Sequence, residues 1–158
     1  MSRKRYLALE TETARHYQNG GLDANGHKPE TRVSDGGSIP CRHCLQHVAK
    51  GEEFLVLAHR PFPAPQPYAE TGPIFLHAKE CARYGREQAV PEMFLGWERI
   101  MLRGYDRDDR IVYGTGTVVG TDEIETTADR ILENPDVVFV HARSASNNCF
   151  QCRIEPAE

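Results

Sequence analysis

The 158-residue sequence predicts an α+β fold with a mainly antiparallel sheet, about two helices and one inserted segment rich in cysteine and histidine. Three observations lead to this prediction. Short runs of β-branched and aromatic residues recur between turn-forming residues, as in antiparallel strands. Only two stretches combine a capping residue with the start and stop signals of a helix. The densest group of cysteine and histidine residues lies at positions 39–81.

The composition indicates one globular domain spanning residues 1–158. Hydrophobic residues make up 39% and charged residues 27% of the chain, which is typical of folded proteins. The net charge is −4 and the basic residues are scattered, which argues against nucleic acid as a partner. Because no apolar run is long enough for a membrane span or a signal peptide, we expect a cytoplasmic protein without membrane contact. In that reducing compartment, the five cysteines are expected to be thiols or metal ligands rather than disulfides.

The first forty residues predict a strand, a helix and a long loop. Residues 5–10 form the strand, and Thr11 is expected to cap a helix that ends at about Gln18, before two glycines. Residues 19–38 contain many glycines and lack an apolar period. They are therefore predicted to be a flexible loop.

The centre of the chain carries two pairs of soft metal ligands. Cys41 and Cys44 form a Cys-x-x-Cys pair, His77 and Cys81 form a His-x-x-x-Cys pair, and 32 residues (45–76) separate the two pairs. Three thiolates and one imidazole suit a tetrahedral zinc site, because Zn²⁺ prefers sulfur and nitrogen ligands. We expect a turn that presents two sulfurs, a hairpin with a strand at residues 53–59, and a helical turn that presents the other two ligands.

Two other interpretations of the first cysteine pair stay open. If residues 39–45 form a plain strand, Cys41 and Cys44 point to opposite faces, and a shared metal would require a kink. The cysteines would then be buried thiols without a metal. The other alternative is redox chemistry, although the strand and helix context of thioredoxin-like motifs is not visible around this pair.

The second half of the chain predicts four strands and the clearest helix. The strands lie at residues 97–105, 111–119, 137–142 and 149–154, with turns at 106–109 and 147–148. The helix starts after Thr121 or Asp122 and ends at Asn134, which precedes a proline. Its predicted apolar stripe consists of Ile124, Ala128, Ile131 and Leu132.

A second Cys-x-x-Cys pair, Cys149 and Cys152, lies in the last predicted strand, where the two sulfurs would point to opposite faces. One of them could still complete a metal site. Cys152 is therefore an alternative fourth ligand beside Cys44, His77 and Cys81.

These thiols also define an alternative function. Cys41 or Cys149 could serve a thiol-dependent enzyme or a redox sensor. His141, which lies in an apolar strand, would be the candidate base beside Cys149, although a histidine in such a strand is more often a structural core residue than a base.

Five polar residues are candidates for binding a ligand. Arg103, Tyr105 and Arg143 lie at the ends of two predicted strands, where guanidinium and hydroxyl groups could hold an anion. Tyr68 and Glu70 follow a proline-rich stretch and could present a phenol and a carboxylate beside the metal. The competing interpretation is that these residues form surface ion pairs or are solvated.

The order of the central motifs resembles a treble-clef zinc finger over about forty residues. The matching positions are Cys41, Cys44, the turn of Gly51 and Glu52, Phe75, His77 and Cys81. The spacer is longer here and contains four prolines between residues 61 and 67, so the hairpin is expected to carry a rigid arm.

From about residue 6 to residue 155, the chain resembles a bacterial family of uncharacterised proteins, domain of unknown function 1203. The resemblance rests on PCRHCL at 40–45, PYAETGPIFLH at 67–77, LRGY at 102–105 and VHARSA at 140–145, followed by Cys149. It implies no known activity. Some members resemble this chain at Cys41 and Cys149 but differ at the other four ligand positions, which implies the alternative ligand set Cys44, His77, Cys81 and Cys152.

The sequence therefore predicts a small cytoplasmic domain with one structural zinc. Four protein ligands leave no open position for a reactive water, so hydrolysis is not implied. The expected function is the binding of a protein or a small molecule, and no motif identifies that partner.

Overall fold

The computed structural model describes residues 3–157. Its internal contacts divide the chain into two compact units. The first unit comprises Met1–Leu7, Ala64–Ala69 and Gly85–Glu158, and the second comprises Ala8–Pro63 and Glu70–Tyr84.

The described residues form eight strands and three α-helices, which confirms the predicted α+β class and its antiparallel sheets. In chain order they are β1 (Lys4–Leu7), α1 (Thr11–Gln18), β2 (Glu30–Val33), β3 (Glu53–His59), β4 (Gly72–His77), α2 (Glu92–Leu95), β5 (Arg99–Tyr105), β6 (Thr117–Gly120), α3 (Ile124–Leu132), β7 (Phe139–Ser144) and β8 (Phe150–Pro156). Each helix of residues 3–157 is too short or too polar to cross a lipid bilayer.

The first unit is built on a five-stranded antiparallel sheet with the order β1-β8-β7-β5-β6. Helix α3 packs on this sheet through Ile124, Thr127, Ala128 and Ile131, which are all buried. Three of the four predicted stripe residues are thus buried, whereas Leu132 is only half-buried. A 3₁₀ turn at Thr121–Glu123 precedes α3. The N-cap residue of α3 makes no side-chain hydrogen bond. The predicted capping by Thr121 or Asp122 is therefore wrong.

Strand β6 is shorter than the predicted strand at residues 111–119. Gly114 has a positive φ of 91°, and Ile111 makes only an isolated bridge to Tyr105. The hydroxyl of Thr115 accepts the Gly104 N–H at 2.9 Å and donates to the carbonyl of Val112 at 2.6 Å. The Thr115 hydroxyl thus replaces the backbone partner that a longer β6 would have supplied. Glycines within a predicted strand often mark such an irregularity.

The second unit contains a three-stranded antiparallel sheet with the order β2-β3-β4. Strand β3 covers the predicted residues 53–59, whereas β2 lies inside the segment 19–38 that was predicted to be loop. All four residues of β2 are exposed, so the strand has no alternating apolar pattern. The carboxylate of Asp23 orders the preceding segment by accepting the N–H groups of Asn25, His27 and Ala58.

Helix α1 packs against β4 in the core of the second unit. Ala14 and Tyr17 supply its buried face, against sheet residues such as Leu57, Ile74 and Leu76. Thr11 is the first residue of the helix and not its cap, because Glu10 takes the cap position without a side-chain hydrogen bond. The predicted cap was wrong by one residue, and the Thr11 hydroxyl is free to bond elsewhere.

A glycine in β5 allows this strand to approach α3 closely. A Cβ added at Gly104 would lie 2.9 Å from a methyl carbon of Ile131 and 2.9 Å from one of Val137. Both methyls belong to β-branched side chains, which cannot rotate away cheaply. We expect Gly104→Ala to destabilise the protein by about 1–3 kcal/mol through overpacking, as measured by urea unfolding. Gly116→Ala is the control, since its added Cβ meets only Arg103 carbons at 3.7 Å, and equal stability of the two variants would contradict the packing argument.

His59 couples the stability of the second unit to pH. Burial lowers the pKa of His59 to about 4, and the Tyr17 hydroxyl lies 3.1 Å from its Nδ1. Between pH 6.5 and 4 the unfolded chain takes up a proton that folded His59 does not, so stability falls as the pH falls through that window. The full difference amounts to about 3 kcal/mol. The variant His59→Gln keeps an acceptor for Tyr17 but does not titrate. When the pH is lowered from 7 to 4.5, we expect its free energy of unfolding, measured with denaturant, to fall less than that of the natural protein. Parallel pH profiles of the two proteins would refute the assignment.

Candidate metal centre

The first cysteine pair lies in a tight turn closed by a short hairpin. The amide of Cys41 donates to the carbonyl of Gln46 at 3.0 Å, and the amide of Val48 donates to the carbonyl of Ile39 at 2.9 Å. Within this hairpin, the amide of Leu45 donates to the carbonyl of Cys41, and Leu45 adopts a left-handed φ of 57°. Residues 39–45 are thus not a plain strand. The turn places the sulfurs of both cysteines on the same side, as the zinc interpretation requires.

This turn, which we call the knuckle (residues 39–48), is attached to the edge of β4. Cys41 forms a parallel bridge with Phe75, and the amide of Arg42 donates to the carbonyl of Phe75 at 3.0 Å. Two residues further along β4, the amide of His77 points at the Cys41 sulfur, 3.4 Å away. The pairing therefore carries the end of β4 to the sulfurs of the knuckle.

His77 and Cys81 are not presented by a helical turn, contrary to the prediction. His77 is the last residue of β4, and Cys81 lies in the irregular segment that follows. Side chains of α1 shape this reversal: Gln18 donates to the carbonyl of His77 at 2.9 Å, and Arg15 donates to the carbonyl of Cys81 at 3.0 Å. The four predicted residues thus come together through a different local structure.

The four predicted ligands form one cluster in which all ligand atoms lie within 4.8 Å of one another. The sulfurs of Cys41 and Cys81 are 3.8 Å apart, and the sulfur of Cys44 is 3.5 Å from Nδ1 of His77. A tetrahedral zinc site with metal–ligand bonds of about 2.3 Å to sulfur and about 2.0 Å to nitrogen has edges of about 3.8 Å and 3.5 Å, respectively. These residues therefore fit a tetrahedral metal ion.

The three thiols shift one another's pKa values through the hydrogen bonds between them. A hydrogen bond with the Cys44 thiol lowers the pKa of Cys41 below its ordinary value, and the same contact raises the pKa of Cys44. Hydrogen bonding with Cys41 also raises the pKa of Cys81 to about 11 and raises the pKa of His77. Without a cation, the cluster thus favours one thiolate and disfavours the ionisation of the other two thiols. A divalent cation would remove that conflict, because its charge favours thiolate at every sulfur ligand.

The two cysteines outside the cluster lie in the first unit. Cys152 is fully buried on β8, opposite Ala142, and burial raises the pKa of its thiol. The cluster contains Cys41 and not Cys152, so the structure brings together the first predicted ligand set. Cys149 is half-buried just before β8, and its sulfur lies 3.8 Å from the carbonyl of Asn147. His141 packs its ring against Tyr105, Phe139 and Phe150.

Three of the predicted ligand-binding residues lie on one face of the five-stranded sheet. The Tyr105 hydroxyl accepts from Arg103 Nε at 3.0 Å and from Nη2 at 2.7 Å. Arg143 faces Met101 across the β5–β7 register and donates to the carbonyl of Asn148 at 3.0 Å. Tyr105 and Arg143 are buried, at 0% and 3% exposure. In this structure both therefore support the sheet and its turn.

The other two candidates fall into different units. Tyr68 lies in the first unit, where its hydroxyl is 3.1 Å from that of the exposed Tyr113 and its ring lies under the guanidinium of Arg110. Glu70 is half-buried and belongs to the second unit, as does the metal-ligand cluster.

Sequence reasoning missed the residues around the cluster. His43 is fully buried inside the knuckle, and its ring contacts both Cys81 and Thr11. The position of His43 between two cysteines could have indicated a role near the cluster. Its contacts with Thr11 and Cys81, which are 32 and 38 residues away, could not be inferred from spacing.

The described residues combine an α+β fold with a cluster of three cysteines and one histidine, which come from the knuckle, the end of β4 and the segment around Cys81. The chain belongs to the family described as Protein of unknown function (DUF1203), whose sequence profile matches residues 38–156. The predicted family is thereby confirmed, and the matched region includes all four residues of the cluster. Neither the curated proteins nor the solved structures contain a match to the chain.

Proposed function

We propose that the protein binds one zinc ion through Cys41, Cys44, His77 and Cys81, and that the ion has a structural role. The observation that carries this proposal is the proximity of the four ligand atoms, which all lie within 4.8 Å of one another and of which two pairs have the separation of a tetrahedral zinc site. The donor set favours zinc, because three thiolates and an imidazole are poor ligands for magnesium or calcium.

A structural role follows from the number of ligands. Four protein ligands complete the zinc coordination, so no position is left for a reactive water. The ion would join three segments of the second unit, namely the knuckle, the end of β4 and the irregular chain around Cys81. Binding free energy at such a site is also folding free energy, since the unfolded chain does not hold the four ligands together.

We further propose that the protein is a binding module for a protein or a small molecule in a reducing, cytoplasmic compartment. The closed ligand set supports binding over catalysis, and the five free cysteines suit reducing conditions. The side-chain candidates stay Tyr68, Glu70, Arg103, Tyr105 and Arg143. Of these, Tyr68 has the most accessible surroundings, because its partner Tyr113 is 76% exposed.

The zinc proposal is tested by elemental analysis of untagged protein together with serine variants. We expect about one zinc per chain, and we expect Cys44→Ser to lose most of it and to melt about 10 °C or more below the natural protein. Cys149→Ser is the matched control and should keep both its zinc and its melting temperature. Metal-free natural protein would refute the zinc proposal, and zinc that is lost with Cys152→Ser but kept with Cys41→Ser would refute this ligand set.

The alternative function, a thiol-dependent enzyme or redox sensor, is separated by alkylation. In zinc-loaded protein we expect iodoacetamide to modify the half-buried Cys149 first, while Cys41, Cys44 and Cys81 react only after a chelator is added. Peptide mass spectrometry identifies the modified cysteines. One cysteine that reacts far faster than a free thiol in metal-free protein would instead favour thiol chemistry, because such a rate requires a low pKa and an accessible sulfur.

A further inference from the structure

His43 lies inside the knuckle, between the two ligands Cys41 and Cys44, with no exposed surface. Both of its ring nitrogens have partners. Nδ1 is 3.2 Å from the sulfur of Cys81, and Nε2 is 2.9 Å from the hydroxyl of Thr11 at the start of α1. A buried histidine with two specific partners is fixed in orientation.

The chemistry of these partners decides where the ring proton lies. A metal-bound thiolate at Cys81 can only accept a hydrogen bond, so Nδ1 must carry the proton and donate it. Nε2 is then the acceptor, and the Thr11 hydroxyl must donate to it. Thr11 thus selects the tautomer of His43 that points an N–H at Cys81, in the way that outer partners select the tautomer of metal-bound histidines.

Cys81 is the one proposed ligand that lies outside the knuckle and outside a strand. Cys41 and Cys44 are held by the knuckle and His77 by β4, whereas Cys81 lies in an irregular segment. The main-chain carbonyl of His43 also accepts the amide of Tyr84 at 2.9 Å. His43 therefore contacts this segment twice, once at the ligand sulfur and once three residues beyond it.

The hydrogen bond also bears on the charge of the centre. Three thiolates around a divalent zinc leave a net charge of −1, which is costly where the site is partly desolvated. The main-chain N–H of His77 already points at the sulfur of Cys41. The ring N–H of His43 offers the same compensation to the sulfur of Cys81.

We propose that His43 is a positioning residue of the metal centre: with its tautomer set by Thr11, it donates an N–H···S hydrogen bond that holds Cys81 as a zinc ligand. This inference rests on the zinc site proposed above. It assigns to His43 no metal bond and to Thr11 no contact with the metal.

The test compares two replacements of His43 in zinc-loaded full-length protein. His43→Asn keeps an N–H donor near the position of Nδ1, whereas His43→Leu fills similar space without a donor. Zinc release to a chelating dye should be about 10–100-fold faster in His43→Leu and within a few fold of the natural rate in His43→Asn. Equal release from the two variants would overturn the proposal.

A second pair of variants guards against misfolding at the buried position. Thr11→Val alters only an exposed residue, and Thr13→Val is its control on the same helix. With cobalt in place of zinc, loss of the hydrogen bond makes a thiolate a better electron donor. The thiolate-to-cobalt band should therefore move to longer wavelength in Thr11→Val and in His43→Leu, but not in Thr13→Val or His43→Asn.

These measurements also separate this proposal from the zinc proposal itself. Natural protein without zinc would contradict the zinc site. Natural protein that holds zinc, combined with identical cobalt spectra for Thr11→Val and Thr13→Val, would leave the site intact and refute the role of His43.

Discussion

The candidate metal centre depends on one backbone contact, the pairing of the knuckle with the edge of β4. The amide of Arg42 donates to the carbonyl of Phe75, and Cys41 forms a parallel bridge with the same residue. This register sets which residue of β4 reaches the sulfurs. Because side chains alternate along a strand, a shift of one residue would turn the His77 side chain to the other face.

The same contact explains how the rest of the second unit serves the site. Its core is formed by α1 and the inner face of β3 and β4, with Ile74 and Leu76 buried and their neighbours Phe75 and His77 half-buried. The alternation leaves His77 on the side of the knuckle while Leu76 packs inward. Helix α1 then contributes Arg15 and Gln18, which bind the carbonyls on either side of the chain reversal after β4. The small hydrophobic core thus positions the four candidate ligand residues, although none of them lies on a helix.

The sequence predicted the four clustered residues but not how they are presented. Spacing revealed Cys41, Cys44, His77 and Cys81, because paired soft ligands are unusual in a chain of this size. The spacing of four residues between His77 and Cys81 led to the prediction of a helical turn, whereas His77 is the last residue of a strand. Ile74, Phe75 and Leu76 form a continuous apolar run, so the sequence shows no alternation that would have indicated that strand. Strand β2 could not be predicted, since all its residues are exposed and only its pairing with β3 defines it. The proposed role of His43 depends on its contacts with Thr11 and Cys81, which only the folded chain brings together.

The most direct test of a tetrahedral centre is zinc X-ray absorption spectroscopy of the purified protein. The proposed zinc site predicts three sulfur ligands at about 2.3 Å and one nitrogen ligand at about 2.0–2.1 Å, with no additional oxygen. A first coordination shell with fewer than three sulfurs, or one that contains a bound water, would contradict a closed structural site formed by Cys41, Cys44, His77 and Cys81.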